Sequence, residues 1–223
     1  MKIVGLQSSP RGKNSNTLKL LNAALDGARE AGAEIELLDV TKLKIEYCTG
    51  CVSCYKTGKC HLKDDYPLLR EKILEADGII LSSPNYISNI TAPLKATFDR
   101  SANFIHEQLL DGKYGFSIMT AGSGDEEQVL SIMNNFIKRS GGTVIGGVGH
   151  SMARGLPGME AAIKRSHEMG KDLMNAIIEK RTYPEQAAER ADWKERFANT
   201  VRANKENWKH NYEYWVKMGW IKV

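Results

Sequence analysis

All four cysteines of this 223-residue chain, Cys48, Cys51, Cys54 and Cys60, fall between Tyr47 and Asp65. Three thiols recur at every third position and the fourth follows after a longer gap, so one short loop can gather four sulfurs about a single centre, which is a metal-site spacing. Three chemistries compete for them. Disulfides need an oxidising compartment and Cα separations that a tight loop offers to only some pairs. Tetrahedral zinc is usually held by two pairs on separate knuckles, often with histidine. A cubane iron–sulfur cluster needs four converging thiolates, and the first three positions reproduce the tight run of bacterial ferredoxins. The fourth departs from that run, because its gap is longer and no proline follows Cys60, so the loop suits one cluster rather than two. Gly50 and Gly58 lie between the cysteines, where a backbone wrapped round a cluster needs positive φ; they read equally well as turn glycines.

The remaining composition is that of an ordinary globular chain, with enough apolar residues for a normal core. The first apolar run begins at Lys2 and ends by Leu6, which leaves no room for a signal peptide, and no later run approaches a membrane span. A cytoplasmic protein with reduced thiols is expected, with no membrane association. The formal charge of +4 is mild and its lysines and arginines are interspersed with acids, so no nucleic-acid partner is inferred.

Along the chain, KIVGLQ (2–7) reads as a strand, SSPRGKNSNT as a loop, and Leu18, Leu21, Ala24, Leu25 and Ala28 as one face of a helix. A second strand is expected over 34–40, followed by the cysteine loop, with Asp64 and Asp65 capping a helix opened by Pro67. GIILS (78–82) has the unbroken apolar character of a strand covered on both faces. It breaks into SPNYISNITAP, then a helix over 94–104, a fourth strand over 114–120 broken by AGSGDEE, a helix through Lys138, a fifth strand over 143–147, and a long helix over 159–179. Strands alternating with helices make an α/β fold with a parallel sheet, whose ligands sit beyond the carboxyl ends of the strands. From Arg181 the composition becomes polar, helical and rich in Trp and Tyr. Two units follow: a sheet domain over 1–180 carrying the cysteine loop at 47–65, and a helical extension over 181–223 serving packing and oligomer contacts.

The loop SSPRGKNSNT offers hydroxyls at Ser8, Ser9, Ser15 and Thr17, an amide at Asn16 and a cation at Arg11, all ahead of a helix N-terminus. That set suits a terminal phosphate dianion. It lacks both the P-loop lysine pattern and the glycine turn of pyrophosphate binders, which favours a phosphomonoester cofactor. The plainer alternative is a polar loop in which Asn14 or Ser15 caps the helix.

With PNYISN after the third strand and TAGSG after the fourth, the chain resembles the flavodoxin-like NAD(P)H-dependent FMN reductases. With the cysteine loop added, it resembles the iron–sulfur flavoproteins of anaerobic archaea and bacteria. The resemblance covers about residues 1–179. It implies a doubly wound five-stranded parallel sheet of order 2-1-3-4-5, with FMN phosphate contacts at Ser9, Arg11, Ser15, Asn16 and Thr17. It further implies contacts to the ring and ribityl at Pro84, Asn85, Tyr86, Ile87 and Ser88, with Ala121, Gly122, Ser123 and Gly124 bordering the ring. The metal ligands it implies are Cys48, Cys51, Cys54 and Cys60, holding one [4Fe-4S] cluster. A homo-dimer or homo-tetramer is implied too, with a ferredoxin-type electron partner and NAD(P)H as a candidate donor.

The expected function is a flavin-dependent oxidoreductase that passes electrons between a two-electron donor or acceptor at FMN and a one-electron partner through the cluster. Its rivals are a cluster-free NAD(P)H-dependent FMN reductase acting on quinones, nitro compounds or flavin, a non-enzymatic flavodoxin-type carrier, and a zinc-stabilised binding module. No Ser/His/Asp or paired-carboxylate constellation appears, so no catalytic side chain is assigned. His61 reads as solvated or as tuning the cluster, Tyr86 either as a flavin stack or as a core cover, and Asp99 with Arg100 as an interface or helix-face pair.

Overall fold

Five short apolar segments separated by amphipathic helices are constrained to pair in parallel, because each crossover returns the chain to the same end of the sheet. A computed structural model, which describes residues 1–222, shows this arrangement. Strands β1 (Lys2–Gln7), β2 (Glu34–Asp39), β3 (Gly78–Pro84), β4 (Tyr114–Ala121) and β5 (Thr143–Ser151) form one parallel sheet in the order β2-β1-β3-β4-β5. Helices α1 (Asn16–Glu30), α2 (Ser53–Thr57), α3 (Tyr66–Glu75), α4 (Ala92–Arg100), α5 (Ala102–His106), α6 (Glu126–Arg139) and α7 (Gly155–Ile178) connect and cover it; α8 (Pro184–Ala203) and α9 (Lys209–Lys217) follow.

Period-two alternation divides the sheet's side chains between two cores. Val4, Leu6, Ile79 and Leu81 join residues of α3, α4 and α6 on one face. Ile3, Ile80, Phe116 and Ile118 join α1 and α7 on the other. On the second face the two helix backbones nearly touch: a Cβ on Gly170 would lie 1.9 Å from the Ala24 carbonyl oxygen, and one on Gly27 would lie 2.0 Å from that of His167.

The boundaries differ most from the sequence expectation at three places. The helix expected over 94–104 is two, divided at Ser101, whose hydroxyl donates to the Thr97 carbonyl and accepts from the Tyr66 hydroxyl. The last strand continues past Gly147 to Ser151, and α7 starts at Gly155. The run GGVGHS has too few side chains to show a period, so its pairing with β4 was not visible.

Asp99 and Arg100 do not pair. Asp99 bonds Lys95 one turn back. Arg100 instead reaches Asp64 across the fold, both side chains being nearly fully buried (1% and 0% exposed). Asp64 also accepts from the backbone amides of Glu46 (2.8 Å) and Tyr66 (3.1 Å), and Arg100 donates to the Glu46 carbonyl at 2.9 Å. The expected helix cap is therefore Asp64 holding the Tyr66 amide, while Asp65 accepts from the Lys44 amide at 2.8 Å. Together these bonds tie both ends of the cysteine loop to α4.

The chain beyond Arg181 has its own small core of Ala198, Val201, Trp215 and Ile221, flanked by Trp193, Phe197 and Tyr212. It is joined to α5. Trp215 Nε1 donates to the His106 carbonyl at 2.7 Å, and Asn211 bridges the His106 ring (3.2 Å) and Glu107 (2.9 Å). Burial keeps His106 neutral, with its pKa lowered to about 4, so its Nδ1–H donates to the Asn211 oxygen.

Two predictions follow from this packing. Gly170→Ala places its methyl against backbone that no rotamer change can move, so α1 and α7 must separate; a loss on the order of 3 kcal/mol is expected in denaturant melts, against a small gain in helix propensity. Arg100→Met leaves Asp64 buried and unpaired. Burial raises the Asp64 pKa, but the Arg100 hydrogen bonds and the two backbone amides outweigh it and hold the carboxyl below its ordinary value. Its stabilising contribution is therefore present above the ordinary carboxylate pKa and is lost as pH falls through the depressed one. The variant is expected to be about 3–5 kcal/mol less stable at pH 7. That gap should narrow below about pH 4, where the wild type loses the pair and the variant is relieved of its charge; a gap independent of pH would contradict this account.

Candidate functional site

The carboxyl ends of β1, β3 and β4 diverge where their ladders stop, and buried hydroxyls take over their polar groups. Ser8 Oγ donates to the Ser82 carbonyl (2.7 Å), Ser82 Oγ to the Leu6 carbonyl (2.8 Å) and Thr91 Oγ1 to the Ser8 carbonyl (3.0 Å). The Thr17 and Thr120 hydroxyls meet at 2.6 Å, joining the start of α1 to the end of β4. This fixed floor carries a cavity of about 170 Å³ lined by Ser9, Arg11, Ser15, Asn16, Thr17, Pro84, Asn85, Tyr86, Thr120, Ala121, Gly122 and Met152.

At one end of the cavity lies the N-terminus of α1. Ser15 caps it, accepting from the Leu18 amide at 3.0 Å, which leaves the hydroxyl proton and the first-turn amides for a ligand. Arg11 is exposed at the rim, and Asn16 reaches across to the Met152 sulfur at 3.2 Å. All five expected phosphate contacts are thereby brought together. At the other end, Pro84, Asn85 and Tyr86 face Ala121 and Gly122. The Asn85 Oδ1 is buried with no partner among the described residues, so the cavity has a free acceptor where a heterocycle edge would lie.

Ile87, Ser88, Ser123 and Gly124 lie outside this cavity. Ile87 and Ser88 form the tip of a tight turn closed by Tyr86 and Asn89, both at positive φ (52° and 56°), and Ile87 is 99% exposed. A β-branched residue in that region is strained. The turn is braced from below: Ser88 Oγ donates to Asp125 at 2.7 Å, Asn85 Nδ2 to the same oxygen at 3.3 Å, and Gln128 to the Ser88 carbonyl at 3.0 Å. Sequence reasoning missed Thr120, Met152 and Asp125. Extending the last strand to Ser151 would have found Met152, and Thr120 directly precedes the AGSG segment already singled out.

The four cysteines line a second cavity of about 130 Å³, with His61, Tyr55 and Arg100 in its wall. Cys48 and Cys51 are exposed; Cys54 and Cys60 are partly covered. Val52, Gly50 and Gly58 hold left-handed φ (56°, 65° and 74°), which winds the backbone round the sulfurs and turns the Gly50 amide toward Cys48 Sγ at 3.5 Å. His61 is exposed, as expected for a solvated ring, but its Nδ1 stands 3.3 Å from Cys51 Sγ. Burial pushes the Cys54 thiol up to about 11, helped by charge on Cys60, Cys48 and Cys51. Cys51, by contrast, is lowered, chiefly by the Ser53 amide. The other three sulfurs lie close enough to Cys54 for their charge to raise it. Among the described residues no three His, Cys, Asp or Glu side chains stand ready-made around a metal position. Among the described residues, too, no helix is long and apolar enough to cross a membrane.

Residues 1–155 match the family model of NADPH-dependent FMN reductases. An iron-sulfur flavoprotein of Archaeoglobus fulgidus is 35% identical over 223 residues, covering 99% of this chain and 100% of its own. An iron-sulfur flavoprotein of Methanosarcina thermophila is 34% identical over 67% of this chain and 80% of its own. Among solved structures, a flavone reductase superposes with a TM-score of 0.68 at 23% identity, over 82% of this chain and 66% of that one. An NAD(P)H:quinone oxidoreductase from Methanothermobacter marburgensis gives 0.64 at 22%, over 78% and 96%. At those identities the structures speak for the flavodoxin-like fold, while the sequence matches speak for kinship. The chain is a flavin-dependent oxidoreductase that belongs to the NADPH-dependent FMN reductase family and, within it, to the iron-sulfur flavoproteins.

Proposed function

We propose that this oxidoreductase couples two redox centres, FMN in the cavity at the ends of β1, β3 and β4 and a [4Fe-4S] cluster on Cys48, Cys51, Cys54 and Cys60. The observation that carries the reading is the convergence of all four thiols on one cavity in a chain whose other cavity has the donor set of a phosphomonoester site. The names of its relatives support it as well. When bound, FMN supplies exchange of two electrons with a partner such as NAD(P)H, and the cluster supplies exchange of one.

The chain's own groups have separate tasks. Ser9, Ser15, Asn16, Thr17 and the first-turn amides of α1 hold the phosphate, and Arg11 closes over it with a second positive charge. Asn85 accepts from a ring N–H through its free Oδ1, which fixes ring orientation. Tyr86 and Gly122 border the ring, while Ile87 and Ser88, braced by Asp125, shape the approach to it, as do Ser123 and Gly124. Arg100 lies against Cys60 and offsets the negative charge that the thiolates bring.

Exposed apolar residues mark both centres: Tyr47 and Val52 on the cysteine loop, and Tyr86, Ile87, Met152 and Leu156 near the flavin cavity. These faces suit the homo-oligomer that the resemblance implies. Exposed Lys56, Lys59 and Lys63 lie beside the cysteines in the sequence, which suits an acidic one-electron partner of ferredoxin type.

Anaerobic purification with a visible spectrum and iron, sulfide and zinc analysis tests the reading. About four irons per chain and a dithionite-bleachable shoulder beside the flavin bands are expected. Cys60→Ser should lose iron and keep FMN, whereas Arg11→Ala should keep iron and bind FMN about tenfold more weakly or worse. A flavin spectrum without iron, even after anaerobic reconstitution, would leave a cluster-free FMN reductase. For the partner surface, reduction of the protein by an acidic ferredoxin should slow several-fold between low and moderate salt, and Lys56→Glu with Lys59→Glu should abolish that dependence. Salt-independent rates would remove the electrostatic docking.

A further inference from the structure

The cysteine loop carries little regular structure, yet one part of it is held firmly from outside. Cys54 and its neighbours form the short helix α2, and that turn is gripped by α5 and by the chain beyond Arg181. The Tyr55 ring stacks on His106 with centroids 4.1 Å apart and planes 18° apart, and both rings lie 5.1 Å from Trp208, the residue that opens α9. Asn103 Nδ2 donates to the Cys54 carbonyl at 3.2 Å. That carbonyl also receives the Gly58 amide at 2.9 Å, which closes the turn. The His210 ring packs on the bare Cα of Gly58, so that a Cβ there would lie 2.6 Å from His210 Cε1. Tyr55 and Gly58 lie between Cys54 and Cys60 in the chain, and they are covered by Trp208 and His210 at the start of α9.

The cover is itself fixed. Trp215, fully buried, donates to the His106 carbonyl, and Asn211, also fully buried, bridges His106 to Glu107. Phe197 of α8 sets its edge against His106 at 4.7 Å. Helices α5 and α9 thus converge on one turn of the cysteine loop, with α8 packed behind them on His106, whereas Cys48 and Cys51 stand exposed.

We propose that the C-terminal helices act in cis as a positioning brace for the cysteine loop, with Trp208 and His210 holding the Cys54–Gly58 turn in the geometry that presents Cys54 and Cys60 to the cluster. The claim about the cluster rests on the two-centre reading above. The claim about the turn does not. The brace makes the extension part of the metal-ligand site of its own chain, in addition to any contact it makes with a second copy.

The test uses the full chain and its Trp208→Ala, Trp208→Phe and His210→Ala variants. Trp208 is chosen because the core of the extension is centred on Trp215, which is left in place. In reduced, metal-free protein, iodoacetamide labelling is followed at each cysteine by mass spectrometry. Trp208→Ala is expected to speed labelling of Cys54 roughly fivefold or more, because the turn opens locally, while Cys48 changes less than about twofold. His210→Ala should act in the same direction, and Trp208→Phe should restore slow labelling. In the reconstituted protein, the same order should appear in the rate at which a chelator bleaches the cluster absorbance, with FMN content unchanged.

Cys54 labelling indifferent to Trp208, or all four cysteines accelerating together with a lowered melting temperature, overturns the brace. Wild-type protein that takes up no iron, while Cys54 still responds selectively to Trp208, overturns the cluster reading and upholds the brace. Iron uptake with Cys54 and chelator rates unaffected by either substitution overturns the brace and upholds the cluster.

Discussion

Parallel pairing of β1 with both β2 and β3 is the constraint from which the rest of the molecule follows. A parallel pair cannot be closed by a tight turn, so the work of closure falls to the helices, and the segments just beyond the strand ends are free to vary. The chain leaves β1 for β2 on one side and returns as β3 on the other, so a cleft opens between the two departing segments. Into that cleft project the loop before α1, the turn after β3 and the start of the loop after β4. Buried hydroxyls hold the strand ends together: Ser8 and Ser82 bond backbone carbonyls of the neighbouring strand, and Thr17 and Thr120 bond each other. Serine and threonine serve there because they are short, pair within the floor, and leave the upper surface to the ligand.

The cysteine loop presents the opposite difficulty, because it leaves the edge strand β2 and has no ladder to support it. Its two ends depend on one desolvated ion pair, Arg100 with Asp64, completed by the backbone of Glu46 and Tyr66. Such a pair contributes little net stability compared with an apolar substitute, but it strongly penalises any arrangement in which the partners separate. That suits a loop whose function is to return its sulfurs to the same place. Arg100 also stands over the Tyr66 ring at 4.8 Å, so one guanidinium fixes the loop's exit and the start of α3 together.

Much of this was legible in the sequence, and the illegible parts share a cause. The apolar runs, their order and the polar loops after them are local patterns, and a chain whose local patterns agree with its global fold can be read segment by segment. The end of the cavity at α1 was legible because its groups are contiguous, Ser9 through Thr17, ahead of one helix. Arg100 was assigned to the neighbouring Asp99 because nothing local indicates a partner in Asp64, which is far off in sequence and becomes adjacent only when α4 packs beside the loop. Ile87 and Ser88 follow directly on Pro84, Asn85 and Tyr86, which line the cavity, yet two residues in the left-handed region reverse the chain there and leave Ile87 and Ser88 outside it. Glycine or asparagine would have announced such a turn, and isoleucine conceals it.

The extension beyond Arg181 was hardest to read, and the reason is energetic. Helix α8 is polar over most of its surface and buries only Ala198 and Val201 along its length, so its period marks no broad face to be covered. It is joined to the sheet by Gln186, which exchanges hydrogen bonds with the Val144 backbone (2.9 and 2.7 Å), by Arg190 on the Gly142 carbonyl (3.2 Å), and by a chain of aromatic contacts from Trp193 through Phe197 and His106 to Tyr55. A few large rings bury more area than many aliphatic side chains and prefer definite relative geometries. An aromatic-rich tail can therefore dock in one orientation without an amphipathic stripe. The neutral His106 ring, kept uncharged by burial, belongs in such a stack as a protonated one would not, and its single N–H is committed to Asn211. The loop that gathers the cysteines and the helices that end the chain thus meet at one imidazole, and a tail that the sheet does not require becomes part of the site beside it.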